Sequence, residues 1–133
     1  MRHQLKIIVA PFAACLIMAA RAQPIYTVQQ HPIPEAVAHR FDDQQFTRMF
    51  VDAAQQNGWR VLPASPGHLN AAITIRRSHS LTVDISYNRS AFSITLISSE
   101  RLKQENGRIH PAANRAIHDL EGSIEAAISR SAF

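Results

Sequence analysis

Five polar side chains in the second half of the chain are the strongest candidates for chemistry: Arg76, His79, Asp84, His110 and Asn114. Arg76 and Asp84 project to the same face if their two strands pair, so they could form a cross-strand ion pair. A histidine beside an aspartate could serve as a general base. His79, however, lies two residues before Leu81, so in a strand both side chains point to the apolar face. We therefore expect a structural role for these residues rather than catalysis.

The last two candidates lie on a predicted helix, together with another histidine. His110, Asn114 and His118 are separated by one helical repeat each, so they lie roughly along one face. The two imidazoles are too far apart to share a metal ion without help from Asn114 or another segment. At the helix start, the His110 ring could instead bond a loop carbonyl. The sequence predicts neither a metal site nor a cofactor.

Known catalytic motifs do not occur in this sequence. It contains no H-E-x-x-H, no paired C-x-x-C and no G-x-S-x-G, and its four glycines are too few for a phosphate-binding loop. We therefore predict no catalytic residue. The alternative is a small hydrolase or metal-dependent enzyme that uses His79, Asp84 and His110.

The N-terminal segment has the pattern of a secretory signal. Residues 1–6 carry two basic side chains and no acid, residues 7–20 are almost wholly apolar, and Ala20-Arg21-Ala22 matches an A-x-A cleavage site. The pattern predicts a Sec-type signal over residues 1–22 and cleavage after Ala22. The protein is then periplasmic or secreted.

Cys15 raises an alternative location. Phe12-Ala13-Ala14-Cys15 is similar to a lipobox, in which the cysteine is acylated and anchors the protein to a membrane. Phe12 is unusual where leucine is expected, and the residues after Cys15 stay apolar. We therefore favour cleavage after Ala22 over lipidation of Cys15.

Removal of the signal changes the composition of the protein. Loss of 22 of the 133 residues leaves 111, a length that suits one domain, without its only cysteine. Of the 14 basic residues 11 remain, against 10 acidic ones, so the net charge falls from +4 to +1. The sequence contains no run of like charges, so we do not expect a nucleic acid as a partner. No apolar run of about 18 residues remains to form a transmembrane helix.

Helical periodicity predicts two helices in the domain over residues 41–133. The first begins at Asp42 or Asp43 and ends at Asn57-Gly58, because glycine accepts the left-handed conformation after a helix. Its apolar stripe is Phe46, Met49, Phe50, Ala53 and Ala54. The second begins at Pro111, and its stripe is Ala113, Ile117, Leu120, Ile124, Ala127 and Ile128. Prolines make residues 23–40 an extended N-terminal arm.

Between the helices the sequence alternates with the period of β-strands. The segments are 59–62, 69–76, 81–88 and 92–97, and short links between them favour antiparallel hairpins. The predicted fold is a two-layer α+β domain, in which an antiparallel meander of three to four strands packs both helices on one face. Trp59, Phe46, Phe50, Tyr87 and Phe92 are predicted core residues, with a ligand-binding aromatic cluster as the alternative.

Several short motifs occur together in a recognisable order. They are Gly58-Trp59, Pro66-Gly67, Arg76-x-x-His79, Val83-Asp84-Ile85-x-Tyr87, Phe92-Ser93-Ile94, Ser98-Ser99 with Leu102, and Gly107-x-Ile109-His110 followed by Asn114, Ile117 and Leu120. Over about residues 46–128 this order resembles a family of small proteobacterial envelope proteins, often predicted lipoproteins. The chain departs from the family where Ala113 and Ala116 replace aromatic residues. The resemblance implies export and the helix–meander–helix layout, and it implies no activity.

These observations lead to one functional expectation. We expect an exported, non-enzymatic binding or interaction module whose partner is an envelope protein or a cell-wall component. An effector exported beyond the cell is also compatible with a signal peptide. The sequence does not define the ligand or the oligomeric state.

Overall fold

The computed structural model describes residues 21–133, so most of the predicted signal, with Cys15, lies outside the described residues. In chain order the elements are β1 (Gln23–Pro24), β2 (Val28–Pro32), α1 (Glu35–Ala38), α2 (Asp43–Gln56), β3 (Arg60–Ser65), β4 (His68–Ile75), β5 (His79–Tyr87), β6 (Ala91–Glu100), β7 (Arg108–Ile109) and α3 (Pro111–Ser131). Among the helices of this part of the chain, none has the length and apolarity needed to cross a bilayer.

The main sheet is antiparallel and has the order β2-β6-β5-β4-β3. The predicted α+β class and the meander from β3 to β6 are confirmed. The sheet has five strands rather than three or four, because β2 from the predicted arm pairs with β6 at Val28↔Ile94. Pro32 is tolerated in β2 because an edge strand leaves one side without partners.

The arm over residues 23–40 is part of the folded body. Val28, Ile33 and Val37 from this segment are buried in the core. A single helical turn, α1, follows Pro34, which the proline pattern does not predict. The first residues of the arm form a separate two-stranded ladder with β7, in which Gln23 lies opposite Ile109.

Local signals define both ends of α2, as predicted. The Asp42 carboxylate accepts the Gln45 N–H at 2.7 Å, and the Gln45 side chain accepts the Asp42 N–H at 3.0 Å, which completes a capping box. At the other end Gly58 has φ +91°. Its N–H donates to Gln55, and the Trp59 N–H donates to Ala54, the pattern of a Schellman cap.

The core lies between one face of the sheet and the helices α2 and α3. The predicted apolar residues of α3 are buried, as are Phe46, Phe50 and Trp59. Phe50 stacks on Tyr87 with ring centroids 4.6 Å apart and meets Phe92 edge-on at 5.8 Å. Each large apolar side chain buried in this way contributes about 2 kcal/mol to folding.

Two irregularities explain where the strand pattern misleads. Val83 pairs with Leu96 and Thr82 with Ser98, so Ile97 is a bulge residue and is 50% exposed. The alternation in β6 therefore fails at this residue. The expected end of the first strand before Pro63 is also wrong, because β3 continues to Ser65 along the outer edge of the sheet, where proline is allowed.

Asn114 is the buried polar residue of the described core, with 7% of its surface exposed. Its Oδ1 accepts the Tyr26 N–H at 3.0 Å. Its Nδ2 donates to the Pro24 carbonyl at 2.8 Å and to the Gln23 Oε1 at 3.2 Å. The amide therefore ties the arm to α3, which gives this candidate residue a structural role.

A second set of contacts fastens β2 and the arm to α3. The Tyr26 hydroxyl donates to Glu121 at 2.6 Å, and this bond, with burial and the carboxylate charge, raises the pKa of Tyr26 to about 12. The His31 ring places one nitrogen 3.1 Å from Glu121 and the other 3.1 Å from Glu125. The Glu121 side chain is only 18% exposed as a result.

Replacement of Asn114 by alanine tests its structural role. The change leaves the Tyr26 N–H and the Pro24 carbonyl without their partner, so we expect a loss of about 1–3 kcal/mol in the free energy of unfolding. Chemical denaturation measures the loss, and amide hydrogen exchange should accelerate at Tyr26. Asn70→Ala, on the half-exposed outer face, is the control with a small expected effect. Equal stability of the two variants would contradict this role.

Candidate cationic functional site

Asp84 lies apart from the other candidates. Its carboxylate meets the His68 Nδ1 at 3.2 Å, a pair between β4 and β5 on the outer face of the sheet. The expected ion pair between Arg76 and Asp84 is wrong. Asp84 lies opposite Asn70, whereas Arg76 follows the Ile75↔His79 pair in the β4–β5 turn, at the far end of β4.

The three residues of the alternative enzyme, His79, Asp84 and His110, therefore do not share one site. His79 contacts the neighbouring Ser78 hydroxyl at 3.3 Å, His110 bonds to the backbone of its helix, and Asp84 lies with His68. Within residues 21–133, no group of three or more histidine, cysteine, aspartate or glutamate side chains has the arrangement of a metal site. Any chemistry at His79 and His110 therefore proceeds without Asp84.

His110 begins α3 and caps it with its own ring. Its Nδ1 accepts the Ala112 N–H at 3.0 Å, instead of the expected bond to a loop carbonyl. The hydrogen bond assigns the ring proton to Nε2. The His110 backbone N–H donates to the Leu102 carbonyl at 2.8 Å, which holds the loop after β6 against the start of α3. Pro111 occupies the first helical position, as predicted.

Basic groups from three segments act electrostatically on this imidazole. Burial lowers the pKa of His110, and the charges of Lys103, Arg76, Arg115 and His79 lower it further. Arg76 and His79 flank the β4–β5 turn, Lys103 lies in the loop after β6, and Arg115 lies near the start of α3. We call Arg76, His79, Lys103, His110 and Arg115 the cationic surface. The structure thus brings together three of the five candidate residues.

A cleft of about 320 Å³ lies between two of these cations. Arg76 and Arg115 line it, with an apolar floor to which Ile73 and Ala112 contribute. Asp119 is the acidic residue of the wall, and Asn57 adds an amide. The cleft is open to solvent and large enough for a phosphate-sized anion.

The basic side chains of the cationic surface have no fixed acidic partners. Within residues 21–133, Arg76, Lys103 and Arg115 form no ion pair and no side-chain hydrogen bond. Arg89, by contrast, holds Asp43 at 2.6 Å and donates to backbone carbonyls. The donors of the cationic surface are therefore available to a ligand.

Backbone strain coincides with this surface. Arg76, Arg77, Arg101 and Lys103 adopt positive φ values of 51°, 73°, 61° and 55°. Each left-handed residue of this kind costs about 1 kcal/mol, which glycine would avoid and asparagine would reduce. The turn geometry alone does not favour long basic side chains here, and strain of this kind is typical of functional sites.

Lys103 and Arg115 are the members of the surface that the sequence does not single out. Their signal is a gathering of basic residues on both sides of His110, from Arg101 to Arg115. This signal is weak in the sequence because Glu105 and several uncharged residues separate the charges. The pairing of β1 with β7 and the His110–Leu102 bond help to bring the two sides together.

No protein-family model matches this chain, and no curated protein or solved structure matches it at a significant level. The resemblance to small proteobacterial envelope proteins therefore stays a prediction.

Replacement of His110 by asparagine tests the electrostatics of this surface. A pKa lowered from 6.5 means that the unfolded chain binds a proton on this imidazole more tightly than the folded chain. The folded state therefore loses stability as the pH falls through and below 6.5. His110→Asn keeps a capping oxygen but does not titrate, so its stability relative to the wild type should rise as the pH is lowered.

Urea denaturation at pH 7.5 and pH 5.5 measures this relative stability. His39→Asn is the matched control, because the His39 side chain is 72% exposed and lies outside the cationic surface. A difference between wild type and His110→Asn that is the same at both pH values would contradict a depressed pKa at His110.

Proposed function

We propose that this protein is an exported binding module that recognises phosphate groups on an anionic component of the cell envelope through the cationic surface. The observation that carries the proposal is the cleft lined by Arg76 and Arg115, two guanidinium groups from different elements that form no ion pair within residues 21–133. The signal-like N-terminal segment supports export.

Arginine is well suited to this role. Its planar guanidinium offers parallel N–H donors that match two oxygens of one phosphate, and it stays charged at all physiological pH values. Arg76 and Arg115 both line the cleft, one from a turn and one from a helix. Lys103 and the Nε2–H of neutral His110 belong to the same cationic surface and are further donors. A phosphate would also relieve the mutual repulsion of these cations.

The edges of the sheet are poorly suited to binding an added strand, which favours recognition by the cationic surface instead. Pro63 removes a backbone donor from β3 at one edge. At the other edge, β2 contains Pro32 and the left-handed Gln30. An added strand would find an irregular partner at either side.

The hydrolase alternative receives less support. It requires a carboxylate to orient a histidine base, and Asp84 is paired with His68 away from His79 and His110. The His110 Nδ1 is engaged by Ala112, so this nitrogen cannot take a proton from a substrate without opening the helix cap. Binding therefore explains the arrangement with fewer requirements than catalysis.

Vesicle binding tests the proposal. The protein over residues 23–133 should co-sediment with phosphatidylglycerol vesicles and not with phosphatidylcholine vesicles, and added salt should weaken binding. The double variant Arg76→Gln with Arg115→Gln should bind about 30-fold more weakly, because each basic residue near an anionic surface contributes about 1 kcal/mol. Arg48→Gln with Arg130→Gln removes the same charge from exposed helix positions and is the control.

The outcomes distinguish recognition of the phosphate group from attraction by net charge alone. Competition by millimolar inorganic phosphate would support recognition of the phosphate itself. An equal loss in both double variants would indicate net charge alone and contradict the proposal, as would no binding to phosphatidylglycerol. Tighter binding to duplex DNA than to the vesicles would contradict an envelope ligand.

A further inference from the structure

A second cleft lies on a part of the fold that the cationic surface does not use. It has a volume of about 540 Å³ and separates the first turns of α2 from the β3–β4 hairpin and the end of β5. We call it the hairpin cleft. Phe46, Pro63, Pro66, Leu69 and Tyr87 provide its apolar lining. Its size and lining fall in the range of sites for small organic ligands.

Two hydroxyl groups form the polar centre of the hairpin cleft. The Thr47 Oγ1 and the Tyr87 hydroxyl lie 2.7 Å apart, and both residues line the cleft. One O–H is used between the two oxygens, which leaves one further O–H and several lone pairs. A ligand hydroxyl can therefore donate to this pair or accept from it.

The charged groups at the margin of the hairpin cleft are already paired. Arg89 donates to Asp43 at 2.6 Å and to the Phe41 carbonyl at 2.9 Å, and its guanidinium lies over the Phe46 ring at 5.3 Å. His68 is held by Asp84 at 3.2 Å. A charged ligand would gain no free counter-charge here and would lose its hydration.

Packing and a backbone hydrogen bond hold Gly67 and Tyr87 in the wall of the cleft, which limits the conformational entropy lost on binding. Gly67 has φ +79°, and a Cβ at this position would lie 3.1 Å from the Tyr87 carbonyl. The Gly67 carbonyl accepts the Tyr87 N–H at 2.9 Å, which fixes the hairpin against β5. Phe50 supports the Tyr87 ring from below by stacking at 4.6 Å. A site preorganised in this way binds small ligands more tightly than a mobile one.

We propose that the hairpin cleft binds a small, neutral aromatic molecule that carries one hydroxyl group. The aromatic ring packs against Tyr87 and the two prolines of the hairpin, and the hydroxyl bonds to the Thr47–Tyr87 pair. The aromatic lining selects the ring, the hydroxyl pair selects the substituent, and the paired charges disfavour ions. This inference does not depend on the anion-binding function, because the two surfaces share no residue.

Titrations with p-cresol, toluene and 4-methylbenzoate test the inference, with amide chemical shifts as the readout. We expect p-cresol to shift the amides of residues 64, 65, 67–69 and 87–89 and to bind at least tenfold more tightly than the other two compounds. Tyr87→Phe removes one hydroxyl and should reduce p-cresol affinity about tenfold, with toluene affinity unchanged. Tyr26→Phe is the matched control, since its hydroxyl bonds to Glu121 away from this cleft.

Ala64→Trp provides an independent check that does not alter the hydroxyl pair. Ala64 is exposed on β3 at the margin of the cleft, so the indole can fill the cleft without disturbing the core. We expect this variant to lose p-cresol binding. Unchanged binding in Ala64→Trp, equal affinity for 4-methylbenzoate, or shifts spread over the whole domain would overturn the inference.

Discussion

The amide of Asn114 is the interaction on which the rest of this structure most depends. It holds the arm at Pro24 and Tyr26, and the arm in turn pairs with β7 and donates from Ile25 to the Gly107 carbonyl. These bonds position the loop after β6 and the start of α3. Together with the His110–Leu102 bond, they hold the loop that carries Lys103 against the start of α3. A buried hydrogen-bonded side chain in the core thereby contributes to the geometry of a charged surface.

The cationic surface is electrostatically unfavourable in the isolated protein. Basic side chains from three segments meet around His110, although the predicted mature chain has a net charge of only +1. A neutral His110 is compatible with this arrangement, because its Nδ1 caps the helix without adding a charge. The left-handed residues of the adjoining turn and loop add backbone strain. An anionic ligand relieves the repulsion, which is why binding of an anion is the simplest account of the surface.

The parts of the fold that local chemistry determines were predictable from the sequence. The Asp42–Gln45 capping box, Gly58 and the apolar stripes set the bounds of α2 and the buried face of α3. The long-range pairs were not predictable, since nothing near Val28 indicates that it lies opposite Ile94. The continuation of β3 through Pro63 was also not predictable, because it depends on the position of this strand at an edge of the sheet.

The sequence allowed candidate residues of the site to be named, but not which of them lie together. Arg76, His79 and His110 do meet, but Asp84 and Asn114 belong to other contacts. Their separation follows from the strand register and from the pairing of the arm, which no local pattern encodes. Lys103 and Arg115 became candidates only when the His110–Leu102 bond placed their segments side by side.

The measurement that tests the central claim most directly is a titration of the isotope-labelled domain with inorganic phosphate, followed by two-dimensional NMR at constant ionic strength. If the cationic surface is one anion site, saturable shifts should cluster at residues 76–79, 101–104 and 110–116, with a single dissociation constant. Shifts that are linear in concentration, or that are equally large near Arg48 and Arg130, would contradict it.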